Sequence, residues 1–391
     1  ENENNSMIFM VEIDSTENTI FFSDFTFVDY MNDVDEEIHS DIVAEVTGYV
    51  EGVTAKTIDL DDYGFDIMFD QDSYYMPLSV ASLFFSGSYL NTYVTDEEIH
   101  IVSDFATNIG LLEEITVSGN DEIDVLEESK KYATLFFDHF YGLKEYHNID
   151  SFHDAFDFIG LYDVESLKVF NERLTQYIFD LDDLHSNIID FGMNGSDVDM
   201  GVLTTGNKTT NFYTEMFSKC LTMTENVELH ETYNYYVLSI NGFFETTPDD
   251  LARVLEDVNP GKDIYLDLSC NSGGIVYAAF DVLQYMTDEP VDVRIANSQT
   301  GEVVTTTIYT DAIPALPNVF YVYTSNVTFS AANLLTHVIQ ENGIAPIFGN
   351  YTSGGAAAVQ YAVLPNNMII THSSNTVFID SEGIPLEDPI R

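Results

Sequence analysis

The sequence predicts a multidomain α+β protein with an α/β core, and three observations carry that expectation. Between residues 234 and 380, short apolar runs typical of buried strands alternate with helical runs. That pattern belongs to a mostly parallel sheet with helices packed on it. From about 120 to 188 the apolar residues recur at helical spacing instead. Before that, residues 7–69 alternate apolar and polar, as a small antiparallel β-unit does. The expected divisions are a β-rich accessory domain over 1–118, a helical segment over 119–190, and the α/β core over 191–391.

The chain has 391 residues, room for two or three domains with real cores. Its hydrophobic content of 45% and charged content of 20% exclude a disordered chain. Against 67 acidic residues stand 12 basic ones, a formal net charge of -55. Such a surface repels nucleic acid and anionic headgroups, so nucleic acid is not an expected partner. No apolar run approaches the roughly 18 residues of a membrane span. The polar start ENENNS reads as a tether, which leaves attachment to a membrane surface open. Two cysteines, Cys220 and Cys270, exclude a disulfide-rich scaffold and leave a single bridge open.

In order along the chain, residues 7–29, 43–58 and 64–69 supply the strands of the β-unit. A short helix follows Pro77, and 99–102 reads as a further strand. The acidic clusters Asp33 to Glu37 and Asp59 to Asp62 lack the D-x-D-x-D-G order of a calcium loop and read as solvated turns. Helices are expected over 121–143, 152–161 and 164–188, the first with Leu126, Tyr132, Phe136 and Phe140 on related faces. His139, His147 and His153 lack an acidic partner at metal-binding spacing, so they read as packing or surface residues and no metal site is expected. The core then reads as strand 234–243, helix 247–258, buried strand 262–274 and helix 275–286. A hairpin over 291–296 and 303–310 precedes a second buried strand at 318–325 and a helix opening at Ser330. Apolar runs at 344–349, 358–365, 367–373 and 375–380 complete the sheet.

Chemistry is expected at the C-terminal ends of the parallel strands, where two strand-to-helix turns lie. One is Asn271-Ser272-Gly273-Gly274, whose paired glycines let backbone N–H groups approach a ligand closely. The other is Thr328-Phe329-Ser330, which puts a serine hydroxyl at a helix mouth beside the first free N–H groups. A third candidate ends the helical segment: His185, after three aspartates within six residues, is an imidazole that a carboxylate could orient and keep basic.

Together these segments resemble one family. DLSCNSGG (267–274) is similar to the D-L-R-x-N-x-G-G segment of the tail-specific, or C-terminal processing, serine peptidases. The run from Asn326 to Gly355 resembles their serine-bearing helix and the G-x-x-T-x-G loop after it. DLHS (183–186) looks like their D-x-H-[ST] signature and EGIPLEDPI (382–390) like their closing G-x-x-[IV]-E segment. The order and spacing agree over roughly residues 125–391.

The resemblance implies a ClpP/crotonase-like core and a serine peptidase acting on peptides or protein tails through an acyl-enzyme, with no cofactor. It implies Ser330 as nucleophile, and Gly273 or Gly274 with the N–H of Ala331 as oxyanion hole. The family's lysine base would stand 25 residues after the serine, where this chain has Gly355, and no lysine follows Lys262. The tricorn-like branch uses histidine and glutamate instead, which implies His185 as base and Glu387 as orienting acid. Glu382 and His372 are second candidates for those two roles, and His337 reads as packing. Ser269 stands where the family has arginine. A PDZ domain does not fit the 48 residues from 186 to 233, since one needs roughly 80. Extracellular or cell-envelope location is the family's implication. The lost lysine and arginine also admit a silent member that binds a peptide or small ligand.

Overall fold

The strands of the C-terminal half divide between two sheets, and the N-terminal region shares one of them. The computed structural model describes residues 9–30, 42–86, 91–94, 99–102, 122–193, 195–221, 225–311 and 313–390. The polar start and the Asp33 to Glu37 cluster lie outside the described residues. The N-terminal part supplies β1 (Val11–Asp14), β2 (Thr19–Phe22), α1 (Thr26–Tyr30), β3 (Val43–Val50) and β4 (Lys56–Asp59). Two short hairpins, β5 (Met68–Asp70) with β6 (Ser73–Tyr75) and β7 (Asn91–Val94) with β8 (Ile99–Val102), flank α2 (Leu78–Phe85). The helical segment holds α3 (Glu122–Phe140), α4 (Phe152–Phe158) and α5 (Leu167–Asp180). After β9 (Asn187–Asp190) and α6 (Asn207–Glu215) come β10 (Val227–Glu231), β11 (Tyr235–Ile240), α7 (Thr247–Leu255) and β12 (Asp263–Asp267). Then follow α8 (Val276–Phe280), α9 (Leu283–Met286), β13 (Val291–Asn297), β14 (Val303–Tyr309) and β15 (Phe320–Thr324). The chain closes with α10 (Ala331–Glu341), β16 (Ile347–Gly349), β17 (Ala357–Val363) and β18 (Ile369–Ile379).

One sheet runs β10-β11-β12-β15-β16, parallel in every pairing except β10 with β11. This is the mostly parallel sheet expected, and its β12 and β15 are the two strands that lead to the candidate turns. The single sheet expected over the whole core is corrected by the second one. The order β17-β18-β13-β14-β3 is antiparallel throughout, with β9 also on β18. Residues 367–373 and 375–380, read as separate runs, form the single long strand β18. The physical reason lies in β13 and β14, whose alternating, half-buried side chains suit an antiparallel sheet with one wetter face. β3 pairs along β14, so the N-terminal region contributes a strand to this sheet.

One continuous apolar core joins all three regions. Phe25 and Phe84 of the N-terminal part pack against Phe140 of α3, and Phe22 packs on both of them. Phe137 then reaches Phe152 and Phe156 of α4. All of these rings are buried, so truncating one to alanine is expected to cost about 3–5 kcal/mol. The end of α3 is tied directly to β18: the Gly142 N–H donates to Ser373 O at 2.9 Å, and a Cβ at 142 would meet Ser374 O at 1.8 Å.

The helix expected to run to residue 188 ends at Asp180. Its start is capped by Ser166, and Leu167, Phe170, Leu174 and Ile178 bury one face. Asp182 then takes a left-handed conformation (φ 53°), and residues 187–190 leave to pair with β18. The Asp182 carboxylate caps the next helix instead, accepting the N–H groups of Lys208 and Thr209 at 2.8 Å each. α6 was not expected. Its first turn, Gly206 to Thr210, is polar, and the cap comes from 26 residues upstream.

Candidate active site

Ser330 sits between β15 and α10 in a backbone conformation that few serines adopt, φ 54° and ψ −127°. Such a conformation costs about 1–3 kcal/mol and persists only where its surroundings hold it. Here they do. The Ser330 N–H donates to Gly354 O at 2.9 Å, and Ser330 O accepts the N–H of Leu334 at 2.9 Å. The Phe329 N–H donates to Asn271 O, which joins the serine turn to the Gly273–Gly274 turn. The contact between the two turns is close: a Cβ at Gly273 would lie 2.6 Å from the Ser330 Cβ and 3.0 Å from the Ala331 nitrogen.

His185 arrives from the turn between α5 and β9. Its Nε2 lies 3.0 Å from Ser330 Oγ, hydrogen-bonding distance for a proton transfer. The ring packs on Phe329 with centroids 4.6 Å apart and is 8% exposed. Phe329 in turn joins Phe212, Val327 and the Cys220 and Cys270 side chains in a small apolar cluster. Burial lowers the imidazole pKa below its ordinary 6.5; the Asp183 carboxylate opposes that shift and the Lys208 ammonium adds to it. The ring is therefore neutral at neutral pH, as a base must be. A cavity of about 210 Å³ is lined by Asp183, Leu184, Ser186, Thr209 and Tyr213, with neither His185 nor Ser330 in its wall.

Two buried carboxylates flank this pair. Asp183 Oδ1 accepts the His185 backbone N–H at 3.0 Å. Its Oδ2 accepts the hydroxyls of Ser186 at 2.7 Å, Ser373 at 2.8 Å and Tyr141 at 3.3 Å. Burial works to raise the Asp183 pKa, but the facing imidazole, those hydroxyls and Lys208 outweigh it, and the carboxyl is held below its ordinary value. Glu387 is fully buried. Its Oε2 accepts the N–H groups of Gly355 at 2.8 Å and Ala356 at 2.9 Å, and its Oε1 pairs with the Lys208 ammonium. The structure thus brings Glu387 into the site but gives it no hydrogen bond to His185, whose Nδ1 has no partner among the described residues. The oxygens of Glu387, read from the sequence as the orienting acid, are taken by Lys208 and the glycine loop. Asp183 is the acid whose charge acts on the ring.

The oxyanion candidates differ among themselves. The Gly273 N–H is engaged by Asn271 Oδ1 at 2.9 Å. The N–H groups of Gly274 and Ala331 carry no hydrogen bond among the described residues. Ala331 opens α10, so its N–H is one of the helix's free donors. Of the second candidates, neither is brought to Ser330. Glu382 is exposed in a tight turn with its N–H on Asp380. His372 is buried in β18 edge-on to Phe136, and burial lowers its pKa to about 4. His337 lies on α10 with its Nε2 buried and unpartnered.

The glycine at the family's lysine position does more than omit a side chain. Gly355 has φ +97°, and a Cβ there would stand 2.7 Å from the Ser330 nitrogen and 2.7 Å from the Phe329 ring. No side chain fits that backbone. Two features lay beyond sequence reasoning. Lys208 reaches Glu387 across 179 residues. Cys220 and Cys270, left open as a pair, are bridged with a Cα separation of 5.4 Å, which fastens the π-helical turn after α6 to the turn that holds Gly273.

The family model described as Peptidase family S41 matches residues 234–387. No curated protein sequence matches the chain. Among solved structures, a candidate peptidase from Parabacteroides merdae aligns with a TM-score of 0.53 at 15% identity, over 70% of this chain and 88% of that one. It shows a shared fold. Mature CPAF complexed with lactacystin aligns with a TM-score of 0.49 at 11% identity, over 68% of this chain and 92% of that one. The photosystem II D1 C-terminal processing protease aligns with a TM-score of 0.36 at 15% identity, over 43% of this chain and 47% of that one.

Proposed function

We propose that the chain, whose residues 234–387 match the peptidase family S41 model, is a serine endopeptidase. It cleaves peptides or protein tails through an acyl-enzyme on Ser330. The single observation that carries this reading is the 3.0 Å approach of His185 Nε2 to Ser330 Oγ on a serine with positive φ. Neutral His185 takes the hydroxyl proton as Ser330 Oγ attacks the scissile carbonyl. Negative charge then develops on the carbonyl oxygen, and the N–H groups of Gly274 and Ala331 are the donors left to receive it. The imidazolium formed at that moment is stabilised by the Asp183 charge beside it. It returns the proton to the leaving amine, and water releases the acyl group by the same route in reverse. Glu387 serves this chemistry through the loop it binds.

The disulfide supports an oxidising compartment, extracellular or in the cell envelope. A second reading is a silent member that binds a peptide or small ligand, and the unpartnered Nδ1 of His185 favours it.

One experiment separates the two. A serine-reactive fluorophosphonate is expected to label the wild-type chain and leave Ser330→Ala unlabelled. Hydrolysis of a mixed peptide library, read by mass spectrometry, is expected to fall by at least about 10³-fold in that variant. Equal hydrolysis by both forms would remove Ser330 as nucleophile. A folded wild type that neither labels nor cleaves would favour the binding protein.

A further inference from the structure

Lys208 is unused by the mechanism above, and its surroundings give it a task. It lies in the first turn of α6, whose N–H groups are fastened by Asp182, three residues before His185. Its side chain is 16% exposed and its ammonium pairs with the fully buried Glu387. From there a chain of bonds leads to the nucleophile. Glu387 Oε2 holds the N–H groups of Gly355 and Ala356, and the neighbouring Gly354 O holds the N–H of Ser330. Thr352 and Ser353 tie the start of the loop to Asn333, Thr328 and Asn326, whereas Gly354 and Gly355 carry no side chains, and a Cβ at either would collide with Glu387 O or the Ser330 nitrogen.

We propose that Lys208 is a positioning residue for the nucleophile: its ammonium holds the buried Glu387 carboxylate, which in turn holds the glycine loop that fixes the Ser330 backbone. This rests on the peptidase reading for its kinetic consequence only. A buried carboxylate without a countercharge takes up a proton, and the neutral acid is a weaker acceptor for two N–H groups. Burial and the Asp183 charge push Glu387 in that direction, and Lys208 opposes them. The Lys208 ammonium is itself retained: burial disfavours it, but Glu387, Asp183 and Asp182 outweigh burial and raise its pKa. Around this pair also stand the phenols of Tyr141 and Tyr146, both with raised pKa and neutral, and His147, whose pKa is lowered by burial and by Lys208. Facing His185 are Asp183 and Lys208.

The test compares the full chain with Lys208→Met and with Lys208→Met/Glu387→Gln, by hydrogen exchange at the amides of Ser330, Gly355 and Ala356 and by kcat, KM and pH profile. Lys208→Met is expected to speed exchange at those three amides at least about tenfold and to lower kcat about 10²-fold with KM nearly constant. Its acid limb should move to higher pH, because Glu387 and His185 both lose a neighbouring cation. The double variant is expected to return to within about fivefold of wild type, since a glutamine carbonyl accepts the same N–H groups with no buried charge. Should Lys208→Met not fold, a folded double variant with wild-type protection at the three amides still supports the claim. Wild-type exchange and kcat in Lys208→Met, or a double variant as impaired as the single, would overturn it. If the wild type proves inactive, the peptidase reading falls and the exchange measurements alone decide the role of Lys208.

Discussion

Asp183 and Glu387 are both buried carboxylates within the same site, yet their surroundings drive them apart. Asp183 meets three hydroxyls and a backbone N–H and faces the imidazole, and its pKa is lowered. Glu387 meets one ammonium and two loop N–H groups, and burial with the Asp183 charge raises its pKa. On the reading proposed above, Asp183 bears on the charge of His185 and Glu387 on the shape of the loop beside Ser330, two jobs that the tricorn-like resemblance would give to one residue. In pH terms the signs are opposite. The stabilisation from Asp183 is full above its unfolded pKa and is lost as pH falls through the folded value. The stabilisation tied to the raised Glu387 pKa is full below the unfolded value and is lost as pH rises through the folded one.

The largest expected break is on the Glu387 side. Gly355→Lys restores the family's lysine in sequence but places a Cβ 2.7 Å from the Ser330 nitrogen at φ +97°. It is expected to abolish fluorophosphonate labelling and to destabilise the fold by more than about 2 kcal/mol, read by denaturant unfolding. Labelling above the wild-type rate would mean that the loop can reshape around a lysine.

Asp183→Asn probes the other carboxylate, and its effect is smaller because Asp183 makes no bond to the His185 ring. A fall in kcat/KM of about 10²-fold is expected, below the roughly 10⁴-fold known for an acid that fixes the imidazole tautomer. Asp183 raises the His185 pKa, so its removal should move the acid limb to lower pH. The variant should also be less stable than wild type above about pH 4 and converge with it in stronger acid. An acid limb displaced upward would contradict the assignment.

Most of the serine half was legible in the sequence because local chemistry writes it there. A buried strand, a small-residue turn and an apolar helix mark the turns that carry Ser330, Gly273 and Gly274, although each alone is as common in a plain turn or helix cap. Gly355 was legible as a departure, but not as a position that no side chain can occupy, because its neighbours come from the serine turn. His185 was legible from DLHS, though the helix before it was read too long: nothing local announces that Asp182 turns left-handed to cap α6. Lys208 was illegible. It is one lysine in a polar stretch, and its meaning lies in a partner 179 residues away. The second sheet was missed for a related reason, since strand pairing between β3 and β14 leaves no trace within either strand.

The most direct test of the central claim, that His185 is the base for Ser330, is the rate of fluorophosphonate labelling against pH. A buried imidazole with a lowered pKa predicts a rate that rises through an acid limb below pH 6.5 and is flat through neutrality, and a collapse of labelling in His185→Ala. A limb near pH 9 or above, as a lysine base would give, or undiminished labelling of His185→Ala, would contradict it.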